Sequence, residues 1–245
     1  MSGSVSAVPR VSVIIPCYNY GRFLDEAVDS VLAQSLQDFE IIIVNDGSND
    51  PETVRKLAGY ERPKTLLINS ENRGLAAARN LGIESARGNF ILPLDADDKI
   101  GPRYLELACA RMEGDSQLGI VYCQAEYFGK ISGKFDLPPY SFPEILITPM
   151  IFCSGLFRRE DWSAVGGYSS EFPYGWEDYD FWLSIIGLGR TVCQLNEVLF
   201  FYRKHEQSLS DNMNAERRAE AVRKFIVRHP KLYLDNLERI AVKKS

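Results

Sequence analysis

The sequence predicts a three-layer α/β/α fold around a mostly parallel mixed central sheet, and three observations carry that expectation. Short β-branched apolar runs recur along the chain, segments of helical apolar spacing separate them, and the alternation repeats at least twice before residue 98. Continuous apolar runs of this kind mark strands covered on both faces, as parallel sheets require.

The first strand is expected over Val11–Ile15. Phe23, Ala27, Val28, Val31 and Leu32 then recur at helical spacing, and the run Ile41–Val44 closes a βαβ unit. Thr65–Ile68, the alanine-rich Leu75–Ala86 and Phe90–Leu94 repeat strand, helix and strand. Leu118–Phe128 reads as another strand, and residues 132–149, with four prolines, as a long loop of the kind that often carries function. A strand at Met150–Phe157, a short helix at Arg159–Val165, a helix at Asp178–Ile186 and a strand at Val198–Tyr202 follow. No internal repeat or polar linker divides the stretch 11–210. Residues 1–10 read as a flexible leader and 211–245 as a basic helical tail.

Composition excludes several function classes. The 245 residues carry 28 Lys or Arg against 33 Asp or Glu, a net charge of −5 that argues against a generally basic nucleic-acid binder. Five cysteines, without a CxxC pair, suit reduced core thiols in the cytosol better than a disulfide framework or zinc site. Two histidines are too few for a multi-histidine metal centre. No apolar run approaches the ~18 residues of a membrane span, and residues 1–10 lack a signal-peptide core. A cytoplasmic protein, soluble or peripheral at a membrane, is expected. From Glu216 to Ser245 nine Lys or Arg stand against four Asp or Glu. Such a helix can lie on an anionic membrane, and the alternative is a solvated helix packed on the domain.

The most informative stretch is Phe90 to Asp98, where an apolar strand runs into Asp95, Ala96, Asp97 and Asp98. Like charges this close resist burial unless a cation neutralises them, and strand carboxyl ends are where open α/β sheets bind ligands. A hard divalent ion bridging protein and phosphate fits, whereas an exposed helix-capping turn is the alternative. An EF-hand starting at Asp95 fails because Lys99 and Ile100 occupy its fifth and sixth positions. An aspartyl-nucleophile phosphatase would also begin with a strand and this acidic spacing, yet its usual following Thr or Val is absent. Glu177 and Asp178 form a second acidic pair at a helix start, flanked by Trp176, Tyr179 and Trp182. The helix dipole alone accounts for carboxylates there, but an aromatic wall would also raise a carboxyl pKa toward use as a base. No GxGxxG follows the first strand, and neither a P-loop nor a GxSxG elbow occurs.

Taken in order, these segments resemble the family 2 glycosyltransferases of GT-A fold. The matching residues are Val11 to Asn19, Val44-Asn45-Asp46-Gly47-Ser48, Asn72-Arg73-Gly74 with Ala78-Arg79-Asn80, Leu94 to Asp98, Gly166-Gly167-Tyr168, Glu177-Asp178, and Tyr202 to His205. Asn45 departs from the Asp often found there. The resemblance implies inverting transfer from a nucleoside-diphosphate sugar, with residues 11–98 as the nucleotide-binding half and 99–210 as the acceptor-binding half. Pro16, Tyr18 and Asn19 would line the base and ribose pocket, and Asp46 would accept the base's ring N–H, which suits uracil, thymine or guanine. Asn72 and Gly74 would join the donor site, with Arg79 near the nucleotide or its diphosphate. Asp95 and Ala96 would lie at the ribose, Asp95 reaching it directly or touching a metal-bound water. Asp97 would bind Mn²⁺ or Mg²⁺, with His205 completing the site. Asp178 would be the general base, with Glu177 its rival. The acceptor would be a saccharide or lipid-linked hydroxyl met by the proline-rich loop and Phe152–Phe157, in surface polysaccharide or glycoconjugate synthesis. Two other readings are a nucleotide-sugar pyrophosphorylase, whose glycine-rich Arg and Lys signature is missing at Cys17–Arg22, and a non-catalytic sugar or nucleotide module.

Overall fold

The computed structural model describes residues 8–205 and 214–242. Strands β1 (Val11–Cys17), β2 (Phe39–Asp46), β3 (Thr65–Ser70) and β4 (Phe90–Pro93) run parallel in the order β3-β2-β1-β4. Helices α1 (Gly21–Leu32), α2 (Pro51–Leu57) and α3 (Leu75–Glu84) connect them. Strand order reverses at β1, so the carboxyl ends of β1 and β4 flank a crevice of the kind that takes ligands.

The second half adds β5 (Lys99–Ile100), α4 (Tyr104–Gly114), β6 (Leu118–Gly129), β7 (Gly133–Phe135), β8 (Leu156–Arg158), α5 (Arg159–Val165), α6 (Glu177–Gly187) and β9 (Thr191–Lys204). β8 lies antiparallel between β4 and β6, β9 runs parallel to β6, and β5 and β7 add antiparallel to β9 and β6. The sheet is therefore mixed, with its longest registers parallel.

Alternation along the strands divides the core in two. Val13, Ile15, Ile41, Ile43 and Leu92 pack with Leu24, Ala27 and Val31 of α1 and Leu105 and Cys109 of α4 on one face. Ile14, Ile42, Val44 and Ile91 pack with Ala78 and Ile83 of α3 and Phe181 and Trp182 of α6 on the other. This is the three-layer arrangement expected. α3 lies so close to the sheet that a Cβ on Gly82 would come within 2.5 Å of Ile14 Cγ2, which explains a glycine in mid-helix.

Several elements differ from the expected ones. Of the expected strand at 150–157 only Leu156 and Phe157 pair, in β8, because Met150 and Ile151 are buried by packing rather than by a ladder, and an apolar run reports burial alone. The last strand starts at Thr191, seven residues early, and the loop 132–149 contains β7 and a 3₁₀ turn at Glu144–Leu146. Helices α2 and α4 are additional to the expected elements. Asp50 caps α2 by accepting the Thr53 N–H at 2.8 Å, with Pro51 in the first turn.

The tail forms α7 (Ala215–Arg228), α8 (Pro230–Leu234) and α9 (Leu237–Val242). Phe225 is fully buried, and Arg228 pairs with Glu171 and Asp180. Residues 1–7 of the expected leader and 206–213 and 243–245 around the tail lie outside the described residues, while Arg10 forms an ion pair with Glu113. Among the described residues no helix is long and apolar enough to cross a membrane.

Candidate active site

Two neighbouring cavities open at the carboxyl end of the sheet. The first, of about 350 Å³, is lined by Pro16 and Tyr18 after β1, Asp46 at the end of β2, Asn72, Gly74, and Asp95, Ala96 and Asp97 after β4. Eight of the residues expected at the donor and metal are thus brought together. Cys17, Tyr20, Leu75, Ala78, Asp98, Pro173 and Tyr202 complete the wall, and of these Tyr20, Leu75 and Pro173 come from outside the matching motifs.

Asp46 is buried, and its two oxygens accept the backbone N–H groups of Arg73 and Gly74 at 2.8 and 3.0 Å. The carboxylate therefore holds the β3–α3 loop against the cavity. Gly47 completes this turn at φ +64°, where a Cβ would meet Asn72 N at 2.4 Å. Asn19 does not line the cavity. Its amide bonds Asn49 and the Asp50 N–H, which ties the loop after β1 to the loop after β2.

The acidic turn is folded inward. Asp97 Oδ2 lies 2.7 Å from His205 Nε2, and that imidazole packs on Phe23 and Tyr20. Asp98 Oδ1 accepts the Arg203 N–H at 2.8 Å, whereas its buried Oδ2 has no hydrogen-bond partner. Burial and neighbouring carboxylates push Asp97 up and Asp98 well up. A concentration of buried negative charge with an orphaned oxygen fits a divalent cation, and Asp97 and His205 are close enough to share one. Asp95, Asp98 and Cys153 also bring one ligand atom each within 4.8 Å of one another. Burial drives the Cys153 thiol well above its ordinary range and Asp95 is paired elsewhere, so that trio suits a hard cation poorly.

The second cavity, of about 430 Å³, shares Leu75, Asp95 and Tyr202 with the first. Glu177 and Asp178 line it together with Arg79, Phe152, Cys153, Trp176 and Lys204, and Leu137 and Pro149 from the proline-rich loop. Arg79 is fully buried, with Nη2 2.8 Å from Asp95 Oδ1 and Nη1 2.5 Å from Glu177 Oε1. It lines this cavity rather than the first, held by two carboxylates. Trp176 precedes α6 at φ 72°, a left-handed conformation costly for a bulky residue and concentrated at functional sites. It starts α6 with both carboxylates in the first turn. Burial, reinforced by the Glu177 charge, raises Asp178 to about 7, while its Oδ1 accepts the Tyr179 N–H. Glu177 is ion-paired with Arg79, whereas at Asp178 burial and the Glu177 charge outweigh the guanidinium, so Asp178 is the carboxyl poised to exchange a proton near neutrality.

Comparison with known proteins agrees with this geometry. The chain is 27% identical over 252 residues to the chondroitin synthase of Escherichia coli, covering 99% of this chain and 35% of that one. It thus spans about a third of that relative's length. Among solved structures, S. aureus TarS 1–349 in complex with UDP-GlcNAc superposes with a TM-score of 0.73 at 21% identity, over 89% of this chain and 66% of that one. The mannosyltransferase PcManGT from Pyrobaculum calidifontis, in complex with GDP-Man and Mn²⁺, gives 0.66 at 23% identity, over 94% and 70%. These establish the GT-A fold. Residues 12–172 match the family described as "Glycosyl transferase family 2", and the second acidic pair and His205 lie beyond that match. The ordered motifs, the crevice at the strand reversal and this match, which spans well over half of the sequence, agree: the chain belongs to the family 2 glycosyltransferases.

Proposed function

We propose that the protein is an inverting glycosyltransferase that moves a sugar from a nucleoside-diphosphate sugar, a UDP-sugar first among them, to an acceptor hydroxyl. The observation that carries this reading is the shared wall of the two cavities. Asp95 borders both, so a nucleotide sugar lying in the first would present its anomeric carbon toward Asp178 in the second.

In this mechanism Pro16 and Tyr18 hold the base, and Asp46 accepts its ring N–H beside the loop it anchors. Asn72, Gly74, Asp95 and Ala96 enclose the ribose and diphosphate. Asp97 and His205 would hold Mn²⁺ or Mg²⁺, which when bound supplies positive charge against the diphosphate leaving group. Asp178 takes the proton of the acceptor hydroxyl as that oxygen attacks the anomeric carbon from the face opposite the leaving group. Arg79 pairs with Glu177, and the Glu177 charge adds to burial in holding the Asp178 carboxyl up. UDP bound to TarS, GDP-Man and Mn²⁺ bound to PcManGT, and the chondroitin synthase likeness support the donor class, the metal and a role in polysaccharide synthesis. The acceptor would be a saccharide or lipid-linked hydroxyl, the latter met at a membrane surface.

The test is product formation from UDP-, GDP- and dTDP-sugars with saccharide and lipid-linked acceptors, with the product anomer read by NMR. An inverted glycoside from one donor class supports the reading. A retained anomer, nucleotide sugar made from sugar phosphate, or binding without turnover would replace it.

A further inference from the structure

The tail beyond the family match packs on α6, the helix that carries Glu177 and Asp178. Asp180, one turn into α6 and almost wholly buried, receives Arg228 Nε at 2.9 Å and lies 2.8 Å from His229 Nε2. Phe225 stacks on Phe172 at 5.0 Å between centroids and meets Tyr179 edge-on at 4.8 Å. The Trp176 ring, at the left-handed residue that starts α6, lies 6.0 Å from the same phenylalanine. Arg218, also on α7, lines the cavity that contains Asp178. A buried carboxylate needs its partners, and here both come from the α7–α8 junction.

We propose that α7 and α8 brace the catalytic helix, with Asp180 as the anchor and Phe225, Arg228 and His229 as positioning residues that set how deeply Asp178 sits in its cavity. The proposal rests on the reading of Asp178 as the base. α6 is held by Arg79 at Glu177 and by this junction at Asp180, so ion pairs on both sides of Asp178 anchor the first turn. A brace of this kind acts on the environment of Asp178 and on exchange in the first turn, whereas a merely stabilising contact would lower the melting temperature and leave both unchanged.

The experiment uses the full chain without ligand. The Asp178 carboxyl is followed by ¹³C NMR titration, assigned by its loss in Asp178→Asn, and amide hydrogen exchange is measured over residues 177–181. In His229→Ala and Arg228→Ala the Asp178 midpoint should fall by about one pH unit as water reaches the carboxyl. Exchange over the first turn should rise by at least about tenfold as local opening becomes easier. His229→Gln, which keeps an N–H for Asp180, should restore both. Folded His229→Ala and Arg228→Ala proteins with an unmoved midpoint and unchanged exchange would overturn the brace. So would a His229→Gln protein that behaves like the alanine variant. Turnover that survives Asp178→Asn would remove the base assignment instead and leave the titration result standing.

Discussion

Arg79 on α3 and Glu177 on α6 form a buried ion pair, Nη1 to Oε1 at 2.5 Å, across 98 residues of sequence. The same guanidinium holds Asp95 at 2.8 Å, so one side chain joins the turn after β4 to the start of α6. The geometry makes Arg79 a tie between the two cavities.

Removing one member of a buried pair leaves a bare charge, which typically costs about 3–5 kcal/mol. Arg79→Met should therefore lower stability by about that much, and Arg79→Met combined with Glu177→Gln should recover part of the loss. Urea unfolding of both variants checks this, and equal losses in the two would contradict the tie.

Asp178→Asn should reduce turnover by about 10²–10⁴-fold, the usual contribution of a general base, and leave nucleotide affinity within a few-fold. In the wild-type protein kcat/KM should rise with pH through about 7 as this carboxyl loses its proton. The stability dependence has the opposite sign. The folded carboxyl holds its proton more tightly than the unfolded one, whose pKa is about 3.9, so its favourable contribution is complete below that pH and is lost as pH rises through about 7. Asp178→Asn should accordingly melt higher than wild type at pH 8, and an unchanged melting temperature there would argue against a buried, proton-binding carboxyl.

Asp97→Ala and His205→Ala should each weaken Mn²⁺-dependent binding of UDP or GDP by at least about tenfold, in line with the loss of a metal ligand or its close partner. Calorimetry with and without chelator measures it. Binding that ignores both the chelator and the substitutions would dissociate this pair from any cation.

Asp46→Asn replaces a carboxylate that accepts two backbone N–H groups with an amide that offers one acceptor and opposes a donor to the other. Hydrogen bonds to charged groups contribute about 1.5–3 kcal/mol, so a stability loss of that order is expected together with weaker nucleotide binding. Thermal melting and nucleotide titration of the same protein would show whether the two effects travel together.

Much of the fold over residues 11–98 was legible because its signals are local. Val11 to Ile15 is buried on both faces, and Asp95 to Asp98 sits at a strand end, where a cluster of carboxylates has few bland explanations. Local signals for α2 and α4 do exist in the sequence: Asp50-Pro51 is a helix start, and Tyr104, Leu105, Ala108, Cys109 and Met112 have helical spacing. Arg79 at the second cavity, the role of Asn19 in joining two loops, and Asp180 with His229 could not be read this way. Each depends on which distant segments the sheet order brings together, and neither charge nor periodicity encodes that. Of the two readings of the basic tail, a helix on an anionic membrane and a solvated helix packed on the domain, the packing agrees with the second: Phe225 is buried, Arg228 reaches Asp180 and Lys224 donates to the Glu171 carbonyl.

Helix α6 gathers its supports from far along the chain, Arg79 well before it and His229 well after. On a ribosome strands β1 to β4, whose carboxyl ends border the first cavity, emerge before α6 and the tail that supports it. The seat of Asp178 closes only when residue 229 has been made. A nascent chain can thus complete the strands around the first cavity well before the seat of Asp178 in the second is closed.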